Sequence, residues 1–166
     1  MTEEQYARWT APLRARPRLT HAVVAANRTL TVAGYVLYPL LIVLLAAFDR
    51  TLVVRCIAVP AIAFVALSLF RRAVNAPRPY EVLAIEPLIA KDTRGKSFPS
   101  RHTFSMFMIA LTWAVWQPAV GVVLAVASVA MACVRVLGGV HFPRDVIAGA
   151  AFAAIAAVVG YLAVPW

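Results

Sequence analysis

The chain has 166 residues, 63% of them hydrophobic and 14% charged, with a mean hydropathy of +0.81 and a formal net charge of +9. A soluble domain of this length could not bury so much apolar surface, so the composition excludes a soluble globular protein and indicates a polytopic membrane protein. The basic residues flank apolar runs and form no arm with interleaved aromatics, which points to acidic headgroups or a phosphate as partners and to no nucleic acid.

The length allows one membrane-embedded domain, residues 1–166, and no second one. Residues 1–28 mix Tyr6, Trp9 and Leu13 with Arg8, Arg14, Arg16 and Arg18 and are broken by Pro12 and Pro17. They read as an amphipathic segment lying in the membrane interface. The polar N-terminus shows no cleavable signal peptide, and His21 receives no role. Residues 30–48 form the first expected span, with an earlier start near Leu19 as the alternative, in which Asn27 and Arg28 face protein or headgroups; residues 52–70 form the second, with Arg55 snorkelling to the interface and Pro60 kinking the helix. Residues 71–101 are the one long polar connection. A loop of that length in so small a protein is more often functional than idle. Spans follow at 100–116, 119–137 and 145–164. The last is dense in alanine and glycine, which places it centrally, because small residues let membrane helices approach closely. The expected architecture is therefore all-α, a transmembrane bundle of about five spanning helices plus the interfacial segment. Cys56 and Cys133 both lie in apolar runs and read as small core residues.

Five alternating spans put the loop 71–101 and the turn 138–144 on one face. Of the 16 Lys and Arg, only Arg50 and Arg55 belong to the other. Three stretches meet on the crowded face. In the first, Arg71 ends a helix and Arg78 precedes Pro79; two guanidiniums can grip one phosphate through paired N–H donors. In the second, Ser100 is a good N-cap for the helix that carries Arg101 and His102, and a helix start with its unpaired N–H groups favours an anion. In the third, Arg135 would bind the anion and His141 would react. Asp145, one helical turn further on, would accept a ring N–H and fix the tautomer, leaving the other ring nitrogen as a nucleophile. Gly138 and Gly139 allow the tight turn between them. Each stretch has a plainer reading alone: a stop-transfer flank, a helix cap with an incidental histidine, a basic loop on lipid headgroups. Their coincidence on one face is what favours a phosphate site.

The three stretches read Arg71-x6-Arg78-Pro79, Pro99-Ser100-Arg101-His102 and Arg135-x5-His141-x3-Asp145. This pattern resembles the type 2 phosphatidic acid phosphatase family of membrane lipid phosphatases, which shares its site with vanadium haloperoxidases. The family's blocks are Lys-x6-Arg-Pro, Pro-Ser-Gly-His and Ser-Arg-x5-His-x3-Asp. The resemblance implies that His141 is the nucleophile, Asp145 its orienting partner and His102 the general acid. It implies phosphate binding by Arg71, Arg78, Ser100 and Arg135, and a histidine nucleophile forms a phosphohistidine intermediate. The sequence has no His/Asp/Glu cluster of metal-ligand type, and its arginines can supply the countercharge, so no metal or cofactor is expected. Arg71 stands for the family's lysine and keeps its charge. Arg101 stands for glycine, narrowing the pocket or adding a substrate headgroup contact. Val134 stands for serine and loses a hydroxyl.

The expected activity is hydrolysis of a lipid monophosphate or diphosphate in the bilayer: a polyprenyl (undecaprenyl-type) diphosphate, phosphatidate or phosphatidylglycerol phosphate. The alternative is a non-enzymatic carrier of lipid or anionic headgroups using the same basic cavity. Carriers often show repeated halves and broken helices at mid-membrane; this chain shows no such halves, and its polar residues sit at one interface. The resemblance places the site on the extracytoplasmic face of the inner membrane, whereas arginine bias alone would place it in the cytoplasm. A homodimer remains open.

Overall fold

The computed structural model describes residues 1–163, so the end of the expected fifth span at Val164, and Trp166, lie outside the described residues. Among the described residues the fold is helical throughout: α1 (Glu3–Arg14), α2 (Pro17–Phe48), α3 (Val53–Val74), α4 (Pro79–Val82), α5 (Arg101–Trp116), α6 (Pro118–Leu137) and α7 (Pro143–Ala157). A short 3-10 turn, Arg50–Leu52, precedes α3, and the last turns of α7 widen into a π-helix over Val158–Ala163.

Local chemistry sets most helix ends. Thr2 and Gln5 form a reciprocal capping box at α1. Proline opens α2, α4, α6 and α7, where its missing N–H costs nothing and its fixed φ suits the first turn. Asn75 closes α3 in the left-handed region at φ 43°.

Four stretches are long and apolar enough to cross a bilayer: Pro17–Phe48, Arg50–Val82, Pro118–Leu137 and Pro143–Ala163. The remaining expected span, α5, has 16 residues and reaches only about 24 Å at 1.5 Å per residue. It packs against α2, α3, α6 and α7, and it buries Phe104, Met108, Ala110 and Trp113 in the core. Protein surrounds α5, so it need not match the full hydrocarbon thickness itself.

The first long helix begins at Pro17, close to the earlier of the two expected starts, near Leu19; it continues through Asn27 and Arg28 because Asn27 has a partner inside the bundle. Two expectations change. The centre of the bundle belongs to α5 and not to the alanine-rich α7, which leaves Ile147 and Ile155 on the outside. Gly149, Ala153 and Ala157 lie on the buried face of α7, while Ala151 and Ala154 face outward; a Cβ at Gly149 would stand 2.6 Å from the Ser100 carbonyl, so glycine there lets α7 touch the start of α5. Of the two cysteines, Cys56 is buried as expected, but Cys133 faces outward from α6. Arg55 donates to the Tyr161 carbonyl and lies over its ring.

Candidate active site

Five helix ends and one loop build the site. Arg71 occupies the last turn of α3, and Arg78 stands just before α4. Arg101 and His102 open α5, Arg135 nearly closes α6, and Asp145 lies in the first turn of α7. His141 sits in the turn between α6 and α7. That turn is tight for two separate reasons. Gly139 takes φ +73°, a left-handed conformation, whereas Gly138 has ordinary φ but no room: a Cβ there would stand 2.3 Å from Ile89 Cδ1.

His141 is 1% exposed and Asp145 fully buried. Their contact, His141 Nδ1 to Asp145 Oδ2, is 3.4 Å. Ser97 completes the group. Its hydroxyl donates to Asp145 Oδ2 at 2.5 Å and lies 3.3 Å from His141 Nδ1. The same Oδ2 accepts the Phe142 N–H at 3.0 Å. A carboxylate so held keeps Nδ1 protonated and directs Nε2 away from Asp145 as the free lone pair. Burial pushes the His141 imidazolium well below its ordinary range, against the opposing pull of Asp145. The ring is therefore neutral at physiological pH, the state a nitrogen nucleophile needs.

The guanidiniums divide into scaffold and grip. Arg71 donates to the carbonyls of Lys96, Ser97 and Pro99, so it folds the loop that carries Ser97. Arg78 donates to the Gly95 and Val140 carbonyls, at 3.1 Å each, tying the loop to the His141 turn. Glu81 assists by accepting the backbone N–H groups of Arg78 and Gly95. Arg135 differs. It is 2% exposed and gives one donor to Asn27 Oδ1 at 2.9 Å, while its Nε and Nη2 are buried with no acceptor. Buried charged donors without acceptors are costly, and an anion between them would relieve that cost.

Ser100 is buried at the N-cap of α5, but its hydroxyl makes no cap bond. It accepts from the Thr103 hydroxyl at 3.1 Å, and its backbone N–H donates to the Asp145 carbonyl at 2.8 Å. His102 lies among Arg135, Lys91, His141 and Arg101. Arg101 is exposed, with its guanidinium 5.8 Å from the centre of the Phe64 ring. Both line the mouth of an apolar cavity of about 690 Å³ between α2, α3 and α5, whose walls include Tyr38, Pro60, Phe64 and Met108. It follows α5 from Arg101 to Ile109, about 12 Å at 1.5 Å per residue. Tyr35, Ile57 and Phe64 both line it and face outward, so it opens sideways toward lipid.

Sequence reasoning brought every named residue to this face but missed three. Ser97 and Asn27 carry no local signal, because their partners lie 48 and 108 residues away. The third, Lys91, is half-buried in the loop, with Arg135, Arg78, Arg101 and Arg71 as charged neighbours. Burial first, and then those four cations, push its ammonium down to about 8. A lowered value means that the charge is nearly complete one unit below pH 8, half lost at pH 8 and almost gone by pH 9.5. If Lys91 helps to hold the anion, KM for a lipid phosphate should rise as pH climbs from 7 to 9.5. In Lys91→Arg, which stays charged, KM should remain level. A wild-type KM that is flat over this range removes Lys91 from the site.

Similarity to known proteins agrees with this geometry. A family profile described as the PAP2 superfamily matches residues 50–166. The crystal structure of Aquifex aeolicus LpxE superposes with a TM-score of 0.75 at 26% identity, over 96% of this chain and 93% of that one. The crystal structure described as the first transmembrane PAP2 type phosphatidylglycerolphosphate phosphatase from Bacillus subtilis gives 0.58 at 22% identity, over 93% and 88%. No curated protein matches. With the profile covering most of the chain and the basic cluster at the helix ends, the chain belongs to the PAP2 superfamily and is a membrane-embedded phosphatase of that family.

Proposed function

We propose that this protein hydrolyses a lipid monophosphate or diphosphate through a phosphohistidine, without a metal ion, on the extracytoplasmic face of the inner membrane. The observation that carries the proposal is Arg135: two buried donors without acceptors stand beside a buried His141–Asp145–Ser97 group, and His102, a neighbour of both Arg135 and His141, lines the cavity that opens toward lipid.

The steps follow from that arrangement. The phosphate settles against Arg135 with its lipid tail in the apolar cavity. His141 Nε2 attacks phosphorus, and the bond from phosphorus to the lipid oxygen breaks. His102 gives its proton to that oxygen, and the lipid product departs. Water, deprotonated by His102, then attacks the phosphohistidine and releases phosphate. Arg135 and the cations around it oppose the negative charge on the five-coordinate phosphorus, the part a metal plays in other phosphatases. Among the described residues no three His, Cys, Asp or Glu side chains form a metal-holding group.

The candidate substrates are polyprenyl (undecaprenyl-type) diphosphate, phosphatidate and phosphatidylglycerol phosphate, with the part of the tail next to the headgroup in the cavity and the rest in the surrounding lipid. A carrier of anionic lipid would bind such headgroups in the same place but release no phosphate. Purified protein offered this panel, with and without EDTA, separates the readings. Phosphate release that EDTA leaves intact is expected, and in sealed right-side-out vesicles it should appear outside. Binding without release would favour the carrier. Activity abolished by EDTA and restored by magnesium would overturn the metal-free mechanism.

A further inference from the structure

Helix α1 lies outside the family match, which begins at residue 50, yet it reaches the turn that carries the nucleophile. Tyr6 is 2% exposed. Its hydroxyl donates to the Leu137 carbonyl at 3.2 Å and accepts the Leu88 N–H at 3.4 Å. Leu137 is the last residue of α6, where the His141 turn begins. Beside Leu88, the Ile89 N–H donates to the Gly138 carbonyl at 3.1 Å. Gly139 is shaped around the same phenol: a Cβ there would stand 2.7 Å from Tyr6 Oη and 3.1 Å from Pro87 Cα. One phenolic oxygen thus joins α1, the active-site loop and the catalytic turn.

The two ends of α1 secure this joint. Glu3 accepts the Ala84 N–H at 2.7 Å. Arg14 donates to the Glu86 carbonyl and pairs with the Glu86 carboxylate at 3.5 Å. Buried Thr10 donates to the Tyr6 carbonyl at 2.9 Å.

We infer that Tyr6 is a positioning residue for His141, and that α1 is a strap holding the catalytic turn against the loop. The inference rests on the reading of His141 as nucleophile. In-line attack tolerates little displacement; a misplacement of about 1 Å can cost about 100-fold. The backbone bonds from the turn to α6 reach only as far as Val140 (Gly138 to Val134, Gly139 to Val136, Val140 to Arg135), so the chain about His141 depends on ties from outside the turn to prevent such drift.

The test uses the full-length protein in detergent. Tyr6→Phe keeps the ring and deletes the bridging oxygen. We expect kcat for a lipid monophosphate to fall about tenfold, as befits a displacement well short of 1 Å. KM and inhibition by orthophosphate, which Arg135 holds without a bond to His141, should stay within about twofold. Vanadate mimics the five-coordinate phosphorus and needs His141 in place, so its inhibition should weaken by about the factor lost from kcat. Arg14→Met, which frees the strap at its exposed end, should show the same split at smaller size, and it decides the matter should Tyr6→Phe not fold. Wild-type kcat and vanadate inhibition in these variants would overturn the inference. So would orthophosphate and vanadate affinities falling together, the sign of a merely loosened fold. Wild-type protein that releases phosphate but ignores vanadate would instead sink the His141 reading itself.

Discussion

His102→Ala should cripple hydrolysis of a lipid monophosphate and retain much more activity on p-nitrophenyl phosphate. A lipid alkoxide leaves badly without a proton, whereas nitrophenolate leaves well. General acid help is typically worth about 100- to 10,000-fold, and that factor should appear as the difference between the two substrates. His141→Ala should fail on both, since in the proposed mechanism the buried imidazole is the nucleophile and no leaving group compensates for a missing nucleophile. Asp145→Asn should impair both substrates to a lesser degree. An amide in place of the carboxylate keeps one accepting oxygen but can turn its NH2 donor toward Nδ1 and the Ser97 hydroxyl, where an oxygen now always accepts, so the tautomer is no longer fixed. Initial rates of the three variants on both substrates, each checked for folding in detergent, decide the assignment. It fails if His141→Ala is the variant rescued by the better leaving group.

The second large effect is expected at Arg135. Lysine there keeps the charge but cannot present two donors at once while also reaching Asn27. Removing one preorganised donor to a developing oxyanion costs about 100- to 1,000-fold, so Arg135→Lys should lose at least that much in kcat/KM. Arg71→Lys should behave differently. The guanidinium there holds three loop carbonyls, so its loss should show mainly as a lower thermal midpoint, with a smaller fall in kcat/KM. Equal losses of activity at the two positions, with unchanged midpoints, would mean that both arginines grip the phosphate alike.

What could be read in advance follows from the range of each interaction. His141 and Asp145 are one helical turn apart, so their pairing was visible in the spacing. Alternating spans were enough to gather Arg71, Arg78, His102 and Arg135 on one face. Pro118 and Pro143 marked helix starts because proline acts on its own backbone. The hydroxyls of Ser97 and Tyr6 and the amide of Asn27 were silent: each acts on a residue far away in the chain, and no periodicity announces it. The extension of α2 back toward Pro17 was open in the sequence as a start near Leu19, but which of protein or headgroups Asn27 faces is settled only by its contact with Arg135. Ser100 shows the opposite failure. It was placed correctly at the N-cap, but its hydroxyl found a side-chain partner in Thr103.

The sideways opening of the cavity has a kinetic consequence. A substrate that enters between α2 and α3 arrives by diffusing in the plane of the bilayer, so the concentration that matters is its mole fraction among lipids and not its amount per litre. Dilution with inert lipid would slow the enzyme even at constant bulk concentration. The two products would also part at once, the dephosphorylated lipid sliding back into the leaflet and the phosphate dissolving in water. Their separation into different phases leaves little chance of the reverse encounter.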